Sequence, residues 1–121
     1  MKTKGIIERR RALKAGEGPR QDKRKLRGKC GMFLDMTVHD FDMARWLVGE
    51  EFESIFAAGS ALINKEVEEF SDIDTAMLTL KTSSGKMVQI NNSRHACYGY
   101  DQRIEVFGSK IKFSYLSLSR L

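Results

Sequence analysis

Residues 75–92 read TAMLTLKTSSGKMVQINN. Ala76, Leu78 and Leu80 alternate with polar or flexible neighbours. Ser83, Ser84 and Gly85 then give a turn signal, and Val88 and Ile90 alternate again on the way back. A period of two on both sides of a turn predicts an antiparallel hairpin with one buried face. The same pattern continues downstream. Gly99 interrupts before a third strand over 102–107, where Ile104 and Val106 share a face. Gly108, Ser109 and Lys110 turn the chain, and 111–118 reads as a fourth strand. Upstream, 55–58 and 61–63 suggest another strand, and the acidic stretch 64–74 reads as a loop.

Further upstream the period changes. Residues 32–48 read as a helix, with Gly49 where a left-handed residue closes it. Asp35 in the first turn and Arg45 in the last complement the helix dipole. Most of the circumference is apolar: Phe33, Leu34, Met36, Val38, Phe41, Met43, Leu47 and Val48. Asp35, His39, Asp42 and Trp46 fall together at helical spacing. The expectation is a mostly buried helix with one narrow polar stripe. The fold class is α+β: one helix packed on a mainly antiparallel β-meander.

The chain has 121 residues, enough for one domain. Two Cys exclude a disulfide-dense scaffold. No apolar run approaches the roughly 20 residues that span a bilayer, and residues 1–11 lack the apolar stretch of a signal peptide. A cytoplasmic chain is expected. The net charge of +5 conceals a split, with residues 1–30 at +9 and residues 31–121 at −4. Ile6, Ile7, Leu13 and Leu26 are the only large apolar residues between Lys2 and Lys29, and Gly16, Gly18 and Pro19 interrupt the segment. Residues 1–30 are thus expected to be a disordered basic arm, with a transient helix over 6–15, and 31–121 to form the folded domain. Clustered Lys and Arg also suit phosphate contacts, but no aromatic residue interleaves them.

His39 with Asp35 one turn earlier is the strongest chemical signal. A carboxylate at i−4 can fix the imidazole tautomer and leave the other nitrogen to exchange a proton near neutral pH. The spacing equally suits a structural, hydrogen-bonded histidine. Asp42 on the same stripe could bind a polyhydroxylated ligand. His95 and Cys97 would share a strand face, yet two candidate ligands fall short of a zinc site. Cys30 has no partner nearby in sequence, and no metal is expected. No glycine-rich phosphate loop follows a strand, and no G-x-S-x-G elbow occurs.

The residues at 31–47, GMFLDMTVHDFDMARWL, resemble the G-x-x-x-D-x-x-x-H-x-x-D helix of the Gfo/Idh/MocA oxidoreductases, with the inositol 2-dehydrogenase branch nearest. DIDTA at 72–76 is similar to the family's lead into its central sheet. NSR at 92–94, YGYDQR at 98–103 and EVFGS at 105–109 match the strand that follows. The resemblance covers about 31–110, part of the family's C-terminal open-sheet domain. It implies NAD or NADP as cofactor, a cyclic polyol or sugar as substrate, and oxidation of a secondary alcohol to a ketone. It implies His39 as acid/base and Asp35 as its orienting partner and a ligand of the reacting hydroxyl. Asp42 and Tyr98 would bind substrate, and Gly31 would lie against the nicotinamide. It also implies an oligomer formed through the sheet, with itself or with a full-length homologue.

Three departures stand beside the likeness. The dinucleotide-binding half with its G-x-G-x-x-G turn has no counterpart here, residues 1–29 resemble nothing in the family, and the likeness fades after Lys110. The expectation is a truncated or misassembled product of a longer gene. The first functional expectation is a partial oxidoreductase, inactive alone. The second is a non-enzymatic module that pairs through its sheet. Nucleic-acid binding through the arm ranks last, because nothing in the body supports it.

Overall fold

A computed structural model describes residues 4–12 and 31–119. The chain opens with β1 (Lys4–Ala12). A π-helical turn at Phe33–Thr37 runs directly into α1 (Val38–Val48). Then follow β2 (Phe52–Ser60), a 3-10 turn at Lys65–Phe70, β3 (Thr75–Thr82), β4 (Met87–Ala96), β5 (Tyr100–Phe107) and β6 (Lys112–Ser119). The six strands form one sheet in the order β2-β3-β4-β1-β5-β6. The α+β class is therefore correct, with one helix on a mostly antiparallel open sheet.

The difference lies at the amino-terminal end. Residues 4–12, expected in a disordered arm or a transient helix, form a central strand. β1 pairs parallel with β4 and antiparallel with β5. Ile7 stands opposite Ile90 on one side and Ile104 on the other, and is only 1% exposed. The predicted meander is thus interrupted: β4 and β5 are consecutive in sequence but separated by β1 in space. Net charge misled the expectation. Two β-branched residues in a slot flanked by apolar strands are enough to order a short basic segment once the ladder bonds form. The remaining expected arm, 13–30, lies outside the described residues, as does Cys30.

The strands after the helix follow the alternation closely. Ala76, Leu78 and Leu80 on β3 and Val88 and Ile90 on β4 are buried against the helix. In register, Leu78 faces Ile90 and Leu80 faces Val88. β2 runs to Ser60, so 61–63 are not strand. Instead the Asp74 carboxylate gathers three backbone amides, of Leu62, Ile63 and Asn64, and the Thr75 hydroxyl, at 2.7–3.0 Å. Burial alone would raise the Asp74 carboxyl, but these four donors outweigh it and hold it below the usual carboxylate range.

The helix buries a row spaced by four: Met32, Met36, Asp40, Ala44 and Val48. Within the π turn the Val38 amide reaches back to the Phe33 carbonyl. The wider turn lets two consecutive residues, Met36 and Thr37, both face the sheet. Phe33, Leu34, Val38 and Trp46 are exposed, which corrects the expectation that most of the circumference is buried. At the far end Gly49 adopts φ +67° and its amide bonds to the Arg45 carbonyl. The Lys86 ammonium then joins the helix to the β3–β4 turn, donating to the Val48 carbonyl at 2.8 Å and to Glu50 at 2.6 Å. The Ser84 hydroxyl donates to the other Glu50 oxygen at 2.6 Å.

Two outcomes test this packing. Ile7→Ala removes a fully enclosed side chain, so urea denaturation is expected to show a loss of about 2–5 kcal/mol; an unchanged midpoint would place β1 outside the core. The Lys86 and then the Ser84 contacts hold the Glu50 carboxyl at about 2, against an ordinary 4.5. A carboxyl depressed in the fold stabilises it fully above 4.5 and loses that contribution as pH falls towards 2. Thermal melts should therefore show the advantage of the native chain over Glu50→Gln shrinking across that window, and a gap independent of pH contradicts the lock.

Candidate active site

The helix places the predicted stripe by burying its opposite row. With Met36, Asp40, Ala44 and Val48 turned to the sheet, Asp35, His39, Asp42 and Trp46 all face outward. Trp46 is 77% exposed. Asp42 and Trp46 also line an open depression of about 500 Å³ with Arg45, Gly49, Glu50 and Glu51. No hydrogen bond to the His39 ring occurs among the described residues. Asp35 is engaged from the sheet instead: Nη1 of Arg94 lies 3.5 Å from its Oδ2. Gly31, at the start of the helix, adopts φ +73°, a conformation that L side chains rarely take.

Below the stripe two polar groups of contacts tie helix to sheet. The Thr37 hydroxyl donates to Asn92 Oδ1 at 2.7 Å, and the Asn92 amide donates to Asp40 Oδ2 at 2.8 Å. All three residues are almost wholly enclosed, Asp40 at 0% exposure. Closer to the helix start, Arg94 Nη2 donates to Asp72 Oδ2 at 2.9 Å, and the Met32 amide donates to Asp72 Oδ1 at 2.8 Å. Asp72 thereby caps a backbone amide at the amino-terminal end of the helix.

Tyr98 lies in the turn between β4 and β5, four residues beyond Arg94. It is half-exposed, and its hydroxyl donates to the buried Asp101 at 3.0 Å. Asp101 also accepts from Arg103 Nε at 3.0 Å. His95 is buried at the end of β4, whereas Cys97 is exposed beyond it, so the two do not form one face of a strand. Burial pushes the His95 imidazole down from 6.5; the Asp74 charge opposes this and Arg94 reinforces it. Among the described residues no three His, Cys, Asp or Glu side chains are grouped to hold a metal ion.

The sequence did not disclose the two pairs, Asp40 with Asn92 and Arg94 with Asp72. One signal was available. Asp40 sits in the i, i+4 row of Met36, Ala44 and Val48, and a carboxylate on a buried face requires partners. Asn92 and Arg94 continue the inward parity of Val88 and Ile90; Asn92 is the partner of Asp40, and Arg94 that of Asp72.

The model of the GFO/IDH/MocA C-terminal domain matches residues 7–114. The chain belongs to the GFO/IDH/MocA family, within its C-terminal domain. The match begins inside β1 and ends inside β6. It therefore includes part of the supposed arm and runs past Lys110, which corrects the expected limits of 31–110. Myo-inositol 2-dehydrogenase of Thermotoga maritima is 58% identical over 85 residues, 70% of this chain and 25% of that protein. Inositol 2-dehydrogenase of Rhizobium meliloti is 56% identical over 80 residues, 66% of this chain and 24% of that protein. A solved myo-inositol dehydrogenase of Corynebacterium glutamicum superposes with a TM-score of 0.81 at 39% identity, covering 93% of this chain and 32% of that one. The chain thus spans about a quarter of the length of the curated relatives it matches. No helix among the described residues is long and apolar enough to cross a membrane.

Within this GFO/IDH/MocA domain, Asn92→Ala strips the Thr37 hydroxyl and the Asp40 carboxylate of a shared buried partner. A stability loss of about 1–3 kcal/mol is expected from chemical denaturation. A neutral result would show that the helix does not depend on this contact.

Proposed function

We propose that this chain carries the substrate side of an NAD- or NADP-linked dehydrogenase acting on inositol or a related cyclic polyol. The observation that carries the reading is the outward stripe of Asp35, His39 and Asp42 on a helix pinned to the sheet, in a chain 58% identical over 85 residues to a myo-inositol 2-dehydrogenase. An exposed imidazole next to two exposed carboxylates suits a substrate with several hydroxyl groups.

In this reading an imidazole nitrogen of His39 accepts the proton of the reacting hydroxyl. Asp35, one turn away, accepts a hydrogen bond from a hydroxyl on the neighbouring carbon and so positions the reacting hydroxyl against His39. Asp42 accepts from a further hydroxyl, which orients the ring. Tyr98, held by Asp101, forms part of the wall against the polyol. Loss of the reacting hydroxyl's proton favours departure of the carbinol hydrogen as hydride and formation of the ketone; a nicotinamide, when bound, would supply the hydride acceptor. The fit of that cofactor to the residues present is limited to one edge. Gly31 leaves the start of the helix without a side chain, but no G-x-G-x-x-G turn for the pyrophosphate occurs in the 121 residues.

A second reading rests on a separate observation. On the sheet face away from the helix, Phe56, Met77 and Leu116 are exposed, as expected of a surface that pairs with another copy or a full-length homologue. Both readings suit a cytoplasmic protein.

Residues 1–121 alone, mixed with NAD and myo-inositol, are expected to give no absorbance rise at about 340 nm, since no G-x-G-x-x-G turn occurs among them. A chimera with residues 31–114 in place of the matching segment of the Thermotoga enzyme is expected to turn over. His39→Ala in that chimera should lower kcat by roughly 10²–10⁴. A chimera that folds and binds NAD yet leaves kcat unchanged by His39→Ala would overturn the proposed role.

A further inference from the structure

The geometry points to Arg94 as a positioning residue, whose buried guanidinium fixes where the Asp35 carboxylate stands at the start of the helix. The inference rests on the reading of Asp35 as a ligand of the substrate hydroxyl next to the reacting one, and adds the group that holds it in place.

The Arg94 side chain is 3% exposed, so its charge has left water and needs close partners. Asp72 is one, at 2.9 Å from Nη2, and is itself only 14% exposed. The second nitrogen, Nη1, lies 3.5 Å from Asp35 Oδ2, on a side chain 36% exposed. The guanidinium therefore bridges an enclosed carboxylate and one at the surface. Its nitrogens lie in one rigid plane, so fixing one end of the fork fixes the other. Asp72 cannot turn freely to follow it, because its Oδ1 accepts the Met32 amide at 2.8 Å. Strand β4 anchors the Arg94 backbone, whose amide donates to the Asp74 carbonyl at 2.8 Å. The result is a chain of contacts from the sheet, through a planar cation, to the first turn of the helix. Asp35 and His39 lie one turn apart, so a fixed Asp35 defines where a substrate must sit for two adjacent hydroxyls to reach both.

A purely structural ion pair would stabilise the fold without ordering Asp35. The two roles separate in solution NMR of the isotope-labelled full chain. Three-bond couplings to the Asp35 carboxyl carbon report whether its χ1 is fixed or averaged, and no substrate is required. The native chain is expected to show one Asp35 rotamer. Arg94→Lys keeps the charge but loses the fork, and should give couplings averaged over rotamers. Asp72→Asn keeps an acceptor for the Met32 amide and removes the charge facing Arg94. It should also release Asp35, a side chain it does not touch. Should Arg94→Lys fail to fold, Asp72→Asn still decides. An Asp35 rotamer unchanged in a folded variant of either kind overturns the inference, as does an averaged rotamer in the native chain. Either failure leaves the role of His39 standing. Ordered Asp35 in a chimera insensitive to His39→Ala would instead leave the positioning intact and remove the proposed reaction.

Discussion

The fold depends on the insertion of β1 between β4 and β5. The two strands that flank Ile7 do not pair with each other; each pairs with β1. Without it, the β5–β6 hairpin would connect to the rest of the sheet only through the 97–99 turn. With it, Ile90, Ile7 and Ile104 form one apolar row across three strands. The parallel β1–β4 pair must bring together segments about 80 positions apart in sequence, with the helix and two strands between them. Closing a loop that long costs entropy that only the completed sheet offsets.

On that sheet the helix has one permitted rotation. Leu78, Leu80, Val88 and Ile90 provide an apolar surface, and the row of Met36, Ala44 and Val48 lies on it. Asp40 occupies the same row and is admitted because Asn92 reaches it at 2.8 Å. A rotation by one residue would pull Asp40 off its partner and bury part of the polar stripe. Packing and polar contacts therefore specify the same orientation, and that orientation leaves Asp35, His39 and Asp42 outside. The buried half of the helix sets which side chains the exposed half presents.

The sequence disclosed what local periodicity can carry. The hairpin of β3 and β4 follows from alternation and a turn signal, and the outward stripe from helical spacing. β1 was concealed, because a strand enclosed by non-local partners has no local signal beyond Ile6 and Ile7, and the surrounding charge suggested the opposite. The exposure of Phe33, Leu34 and Val38 was concealed too, since an apolar residue on a helix does not say whether another element covers it. The candidate site residues Asp35, His39 and Asp42 come from the motif at 31–47. The contacts that hold them could not be read there, because Asp72, Asn92 and Arg94 come from other parts of the chain.

In these terms the basic segment changes meaning. Its first part belongs to the GFO/IDH/MocA domain and lies at the centre of the sheet on which the candidate site is built. Amide hydrogen exchange, read residue by residue on the full chain, tests this most directly. The account predicts that the amides of Ile6, Ile7, Glu8 and Arg9 exchange as slowly as those of Ile90 and Ile104. Exchange of these four at the rate of an unstructured peptide, while β4 and β5 stay protected, would contradict it.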